Sequence, residues 1–103
     1  MRCTVKRLLA YLKERGTPFV EVEEAKRALF AGVRLPAFNV VAYAEPGPNL
    51  LVTCRGFGED GGRWRENMRH WQEIFGEGFA AARAVVRGGE IRFLDLDGGE
   101  CML

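Results

Sequence analysis

Phe38-Asn39-Val40-Val41-Ala42-Tyr43-Ala44-Glu45-Pro46-Gly47-Pro48-Asn49-Leu50-Leu51-Val52-Thr53-Cys54-Arg55-Gly56 is the stretch whose reading decides the fold. Two apolar, β-rich runs, 38–43 and 50–55, flank the turn formers Glu45 to Asn49, so the spacing predicts a β-hairpin. Successive strand side chains alternate faces, which puts Leu51, Thr53 and Arg55 on one side and Leu50, Val52 and Cys54 on the other. Folding the runs together sets Asn39 roughly opposite Thr53 to Arg55. Three polar side chains then gather on an otherwise apolar hairpin.

Toward the amino terminus, Val5, Leu8, Leu9 and Leu12 recur at helical spacing, and Gly16 and Pro18 end that helix. Phe19-Val20-Glu21-Val22-Glu23 alternates apolar and acidic residues, as a half-buried strand does. Glu24 to Phe30 reads equally as a short helix or as continued strand and loop. Beyond the hairpin, Trp64, Met68, Trp71 and Phe75 form the clearest helical stripe in the chain, closed by Gly76 and Gly78. Phe79 to Arg87 can be read as helix from its alanines, but strand is preferred. The Gly88-Gly89 pair that separates it from Glu90 to Leu96 supplies the two positive φ angles of a tight hairpin turn. The expected order is α-β-β-β-α-β-β, an α/β (α+β) domain with a mixed sheet flanked by two helices.

With 103 residues, 48% apolar and 28% charged, the chain reads as one soluble domain, residues 1–103. No apolar run is long enough to span a bilayer, and the amino terminus is charged and amphipathic rather than signal-like. No membrane association and a cytoplasmic location are the expectations. A net charge of +1 leaves any nucleic-acid surface to local clustering. Cys3, Cys54 and Cys101 are odd in number and widely spaced, which argues against a disulfide framework or a zinc site. Serine is absent, and Asn and Gln are scarce. That scarcity fits a thermophilic source, while the excess of Arg over Lys equally fits a GC-rich genome.

The succession LLAYLKERG, FVEVE, FNVVAY, LLVTCRG, RWRENMRHWQEIFGEG, AARAVVRGGEIRFLDL resembles the PD-(D/E)XK nuclease superfamily. Within it, the chain is most similar to archaeal-type Holliday junction resolvases and restriction-endonuclease-like domains. The resemblance implies a restriction-endonuclease-like fold and, in active members, acidic residues that hold magnesium beside a lysine. Here Asn39 stands at the family's aspartate position, and Thr53 and Arg55 stand at the Glu and Lys of Glu-x-Lys. Val5 falls where resolvases carry an early glutamate. Asn39 offers a neutral carbonyl and Thr53 a hydroxyl, and Arg55 cannot lose its proton to act as a base. The catalytic positions are therefore vestigial, with no catalytic residue, metal or cofactor expected. Magnesium enters only if the chain is an active nuclease.

Three function readings follow. In the first, a non-catalytic pseudonuclease meets DNA or other nucleic acid through Arg55, Arg63, Arg65, Arg69, Arg83 and Arg87, with His70 and Arg92 nearby. Glu59, Asp60, Glu66, Glu73 and Glu77 dilute that field. The second is a protein-interaction or homodimer module using the Trp64–Phe75 stripe or a sheet edge. The third is an active metal-dependent endonuclease or junction resolvase with relocated acids such as Glu21, Glu23 or Glu45. Asn39, Thr53 and Arg55 can also form a phosphate site or simply a solvated sheet face. Cys54 is expected to face the core as an inert thiol.

Overall fold

A computed structural model describes residues 2–22, 27–30 and 33–101, with 27–30 and 33–34 described through their backbone. Helix α1, Val5–Glu14, begins at Thr4, whose hydroxyl accepts a hydrogen bond from the Arg7 amide at 3.2 Å. It ends where Gly16 turns left-handed at φ 68°. The strands are β1 (Phe19–Glu21), β2 (Arg27–Phe30), β3 (Val33–Pro36), β4 (Val40–Ala42) and β5 (Asn49–Thr53). Next come the short 3-10 turn Glu59–Gly62, helix α2 (Arg63–Phe75), and strands β6 (Phe79–Arg87), β7 (Glu90–Leu94) and β8 (Glu100–Cys101).

Six strands form one sheet in the order β1-β4-β5-β6-β7-β8, and β2 and β3 pair as a separate hairpin. β1, β4 and β5 are an antiparallel meander, while β6 runs parallel to β5. Parallel neighbours need a crossover, and α2 supplies it. The mixed sheet and its flanking helices agree with the sequence reading. The β2–β3 hairpin and β8 are additions to the expected order. The turn of the β4–β5 hairpin is closed by the Asn49 side chain, which accepts from the Ala44 amide at 3.0 Å. Gly88 and Gly89 take φ of 58° and 78°, so the β6–β7 connection has the two positive angles the glycine pair implied.

Strand alternation sorts the core into two layers. Val40, Ala42, Leu50, Val52, Ala82, Ala84 and Val86 meet Leu8 and Leu12 of α1 on one face of the sheet. Val41, Leu51 and Ala81 meet Trp64, Met68 and Trp71 of α2 on the other. The small side chains of β6 are what let both helices come close. Leu8 and Leu12 are fully buried, and each contributes about 1.5–3 kcal/mol from burial alone. The Trp64–Phe75 stripe is covered by the sheet: Trp64, Met68 and Trp71 are buried and Phe75 partly so. Trp71 and Asn67 also tie α2 to β3, both donating to the Pro36 carbonyl, at 2.8 and 2.9 Å.

Residues 27–30, four of the seven in the ambiguous stretch, are strand. Glu23, and the reading of 24–26 as helix or strand, lie outside the described residues. No helix among the described residues is long and apolar enough to cross a membrane.

Candidate functional site

The geometry around Asn39 departs from simple alternation. Val40 pairs with Val52, yet the Asn39 amide also bonds the Val52 carbonyl, at 3.0 Å. Two residues therefore oppose one, which is a β-bulge. Phe38 and Val41 both face α2 as a result, although strict alternation would place them on opposite sides. The bulge turns the Asn39 side chain along the end of β5, where Oδ1 accepts from the buried Cys54 amide at 2.8 Å. The side chain thus supplies an acceptor at the point where regular pairing is broken.

Thr53 is fully buried. Its hydroxyl oxygen accepts from Trp64 Nε1 at 3.0 Å and from the Arg55 amide at 3.1 Å. Arg55 lies over the Trp64 ring, its guanidinium carbon 4.0 Å from the ring centre. Its Nε reaches Glu59 at 3.3 Å and its Nη2 reaches Asp60 at 2.7 Å. The hairpin does bring Asn39, Thr53 and Arg55 into one neighbourhood. Their polar atoms, however, hold the end of β5, the α2 indole and the following loop. Val5 packs with the α1 layer, across the sheet from Thr53 and Arg55. Cys54 faces that same layer beside Cys3. The Cys54 hydrogen bond pulls the Cys3 thiol below its ordinary pKa, with Arg7 assisting and burial opposing.

The loop after β5 gathers more charge than the hairpin itself. Glu59 Oε2 accepts from the Gly56 amide at 2.6 Å and lies 3.5 Å from Arg2, while Oε1 meets Arg55. The Gly56 hydrogen bond, followed by Arg55 and then the Arg2 charge, holds this carboxyl below the usual range against burial. Arg83 reaches the same place from β6, where it neighbours Thr53. A Cβ built on Gly56 would stand 3.5 Å from the Arg83 guanidinium and 3.5 Å from Glu59 Oε2. Arg83 Nε is buried and has no hydrogen-bond partner among the described residues. Arg2, Arg55 and Arg83 therefore surround Gly56 against two carboxylates, Glu59 and Asp60, and the balance is one positive charge.

Arg63 is exposed in the first turn of α2, and Arg65 is held beside Leu96, donating to its carbonyl at 3.2 Å. Both lie at the end of the sheet where β5 stops and α2 starts. Arg69 pairs with Glu66 further along α2 at 3.5 Å, and His70 is exposed beside it. Arg87 is exposed about 13 Å beyond Arg83, at four strand residues of rise. Arg92 pairs with Glu90 and Glu100. It lines a separate open cleft of about 570 Å³ between α1 and β7, together with Arg7, Tyr11, Arg15 and Cys101. There Arg7 is bonded to the Gly89 carbonyl and Arg15 stacks on Tyr11. Glu21 and Glu45 are exposed. Among the described residues no three His, Cys, Asp or Glu side chains come close enough to share a metal ion.

No protein-family model, curated protein or solved structure matches this chain. The chemistry of the site must therefore be argued from its own residues. Arg2 is the participant that sequence reasoning missed. It stands outside every periodic segment, and only its bridge to Val85 of β6 carries it to Gly56.

Proposed function

We propose that this chain is a non-catalytic, restriction-endonuclease-like domain that associates with nucleic acid by gripping backbone phosphates. The observation that carries the reading is the convergence of Arg2, Arg55 and Arg83 on Gly56, flanked by Arg63 and Arg65. This cluster sits at the carboxyl end of β5 in the parallel β5–β6 pair, where open α/β sheets tend to bind ligands. Guanidinium groups suit phosphate through paired, directional N–H donors. Support for the family resemblance comes from the order of helix, antiparallel meander, crossover helix and parallel strand, with the two helices on opposite faces.

The non-catalytic part of the proposal rests on Asn39 and Thr53, whose oxygens already accept N–H bonds, and on Arg55, a fixed cation paired to two acids. A cytoplasmic setting belongs to the same proposal, and the thiols of Cys3, Cys54 and Cys101, none of them in a disulfide, suit a reducing compartment. The test is fluorescence anisotropy with duplex, four-way-junction and single-stranded probes between 50 and 200 mM salt. The phosphate held at Gly56 gives a log–log slope of about −1 on duplex DNA, steeper if Arg63 and Arg65 reach neighbouring phosphates, and Arg83→Ala weakens binding. Binding that ignores salt, or no binding, sinks the reading. Cleavage of any probe with magnesium or manganese sinks its non-catalytic half.

Homodimerisation is the second reading, favoured by Val20 and Tyr43, exposed by 54% and 41% at the β1 end of the sheet. A dimer by light scattering that Val20→Glu dissolves supports it. A monomer at every concentration removes it.

A further inference from the structure

The Glu59 carboxylate is held as a bound anion would be. One oxygen takes the Gly56 amide and faces Arg2, and the other takes Arg55. A planar carboxylate has only two oxygens, and they are directed at those three donors. Arg83, beside Gly56, is left with a buried Nε that has no acceptor among the described residues, and no acid among them pairs with it. A buried donor without an acceptor is uncommon in folded proteins. Arg83 Cζ and Nη2 stand 3.5 Å from a Cβ built on Gly56, as Glu59 Oε2 does, yet the two side chains do not pair.

We propose that Glu59 is an internal plug in a phosphate-binding site made by the Gly56 amide, Arg2, Arg55 and Arg83. A phosphate group is tetrahedral, so its terminal oxygens, two on a diester and three on a monoester, leave the carboxylate plane and engage Arg83 as well as the donors Glu59 now holds. Glu59 can leave without backbone rearrangement, because its side chain is 37% exposed and its ties to Arg2 and Arg55 are solvent-accessible ion pairs. Phosphate binding is then an exchange of one anion for another, and the wild-type site is weaker by the cost of expelling Glu59.

This inference rests on the reading of the arginine cluster as a phosphate-binding surface and names what regulates it. The variant is Glu59→Gln, which removes the charge and keeps an oxygen for the Gly56 amide. Glu59→Ala serves as a second variant, and thermal melts establish that each is folded. Affinities for 5′-phosphorylated and 5′-hydroxyl oligonucleotides are measured by anisotropy, and inorganic phosphate is titrated while the Gly56 amide is followed by NMR. The expected result is a gain in affinity of about two- to fivefold for Glu59→Gln over wild type at 50 mM salt, the range for losing one exposed competing charge. The Gly56 amide shifts with phosphate, and the gain is lost when Arg83→Ala is added.

A gain confined to the 5′-phosphorylated probe assigns the site to a terminal phosphate, and an equal gain for both probes assigns it to the diester backbone. If wild type binds nucleic acid in a salt-dependent way and neither variant binds more tightly, the plug is overturned while the proposed function stands. If no form binds nucleic acid, yet Glu59→Gln takes up inorganic phosphate at Gly56 and wild type does not, the plug stands and the nucleic-acid reading falls.

Discussion

Replacing Thr53 with Val tests whether the hairpin's polar residues serve the fold or an open site. The two side chains have nearly the same shape, so the change subtracts one oxygen from a fully buried position. That oxygen accepts from Trp64 Nε1 and from the Arg55 amide. The Arg55 amide lies where the strand emerges and finds water at little cost. The indole N–H of Trp64, a residue only 4% exposed, does not. A buried donor stranded in this way costs about 1–3 kcal/mol, and the added methyl returns up to about 0.8 kcal/mol. The expected net loss is about 1–2 kcal/mol. For a domain of this size that is a fall in Tm of roughly 5–15 °C. Urea unfolding followed by tryptophan fluorescence measures it, and a double-mutant cycle with Trp64→Phe isolates the shared hydrogen bond, with coupling of about 1 kcal/mol. Thr53→Val as stable as wild type, or equally costly with and without the indole, would refute the reasoning. The hydroxyl would then contribute nothing to holding the indole.

Asn39→Ala strands the buried Cys54 amide at the bulge and should cost about 1–3 kcal/mol by the same unfolding assay. Asn67→Leu should be far milder, within about 1 kcal/mol. The Pro36 carbonyl keeps its bond from Trp71, and the lost Asn67 Oδ1 is a buried acceptor without a donor. Leu8→Ala removes a fully buried contact between α1 and the sheet and should cost about 2–5 kcal/mol. Glu59 ties stability to acid. Its carboxyl binds a proton less readily in the folded chain than in the unfolded one, so its contribution is complete above the ordinary carboxylate range and disappears as pH falls through the lowered value. Wild type should therefore lose more stability than Glu59→Gln across that window, by no more than about 1 kcal/mol for pairs this exposed. Parallel acid limbs for the two proteins would show that the charge contributes nothing to folding.

The elements that could be read from the sequence are those whose signal is local. The Trp64–Phe75 stripe states the core-facing side of α2 by itself, because one face of a helix recurs every three or four residues whatever lies opposite. Gly88-Gly89 states a turn, because only glycine takes positive φ cheaply at both central positions. Phe38 to Arg55 was legible as a hairpin from composition, with Asn39 roughly opposite Thr53 to Arg55, while the register of Val40 with Val52 came from the structure. What alternation could not reveal was the bulge. A single inserted residue changes no residue type, yet it turns Asn39 away from the position that counting by twos assigns it.

The charge cluster was hidden for a different reason. Arg55, Glu59 and Asp60 are close in sequence, but whether they pair depends on the loop path. That path runs through left-handed backbone at Asp60, Gly61 and Gly62. Aspartate is one of the few side chains that tolerates φ of 56°, and placing it there is what swings its carboxylate onto Arg55. Arg2 and Arg83 arrive from segments about eighty residues apart in the chain, brought together by the bridge of Arg2 to Val85. A charge census weighs all these residues equally and returns a chain of almost no net charge. The fold spends Asp60 on Arg55, commits Arg65 to the Leu96 carbonyl and leaves Arg83 with an unused donor. Under the proposed phosphate reading, the relevant quantity is the donors that the chain's own acids leave unsatisfied at one end of the sheet, and Glu59 is the acid whose removal tests it.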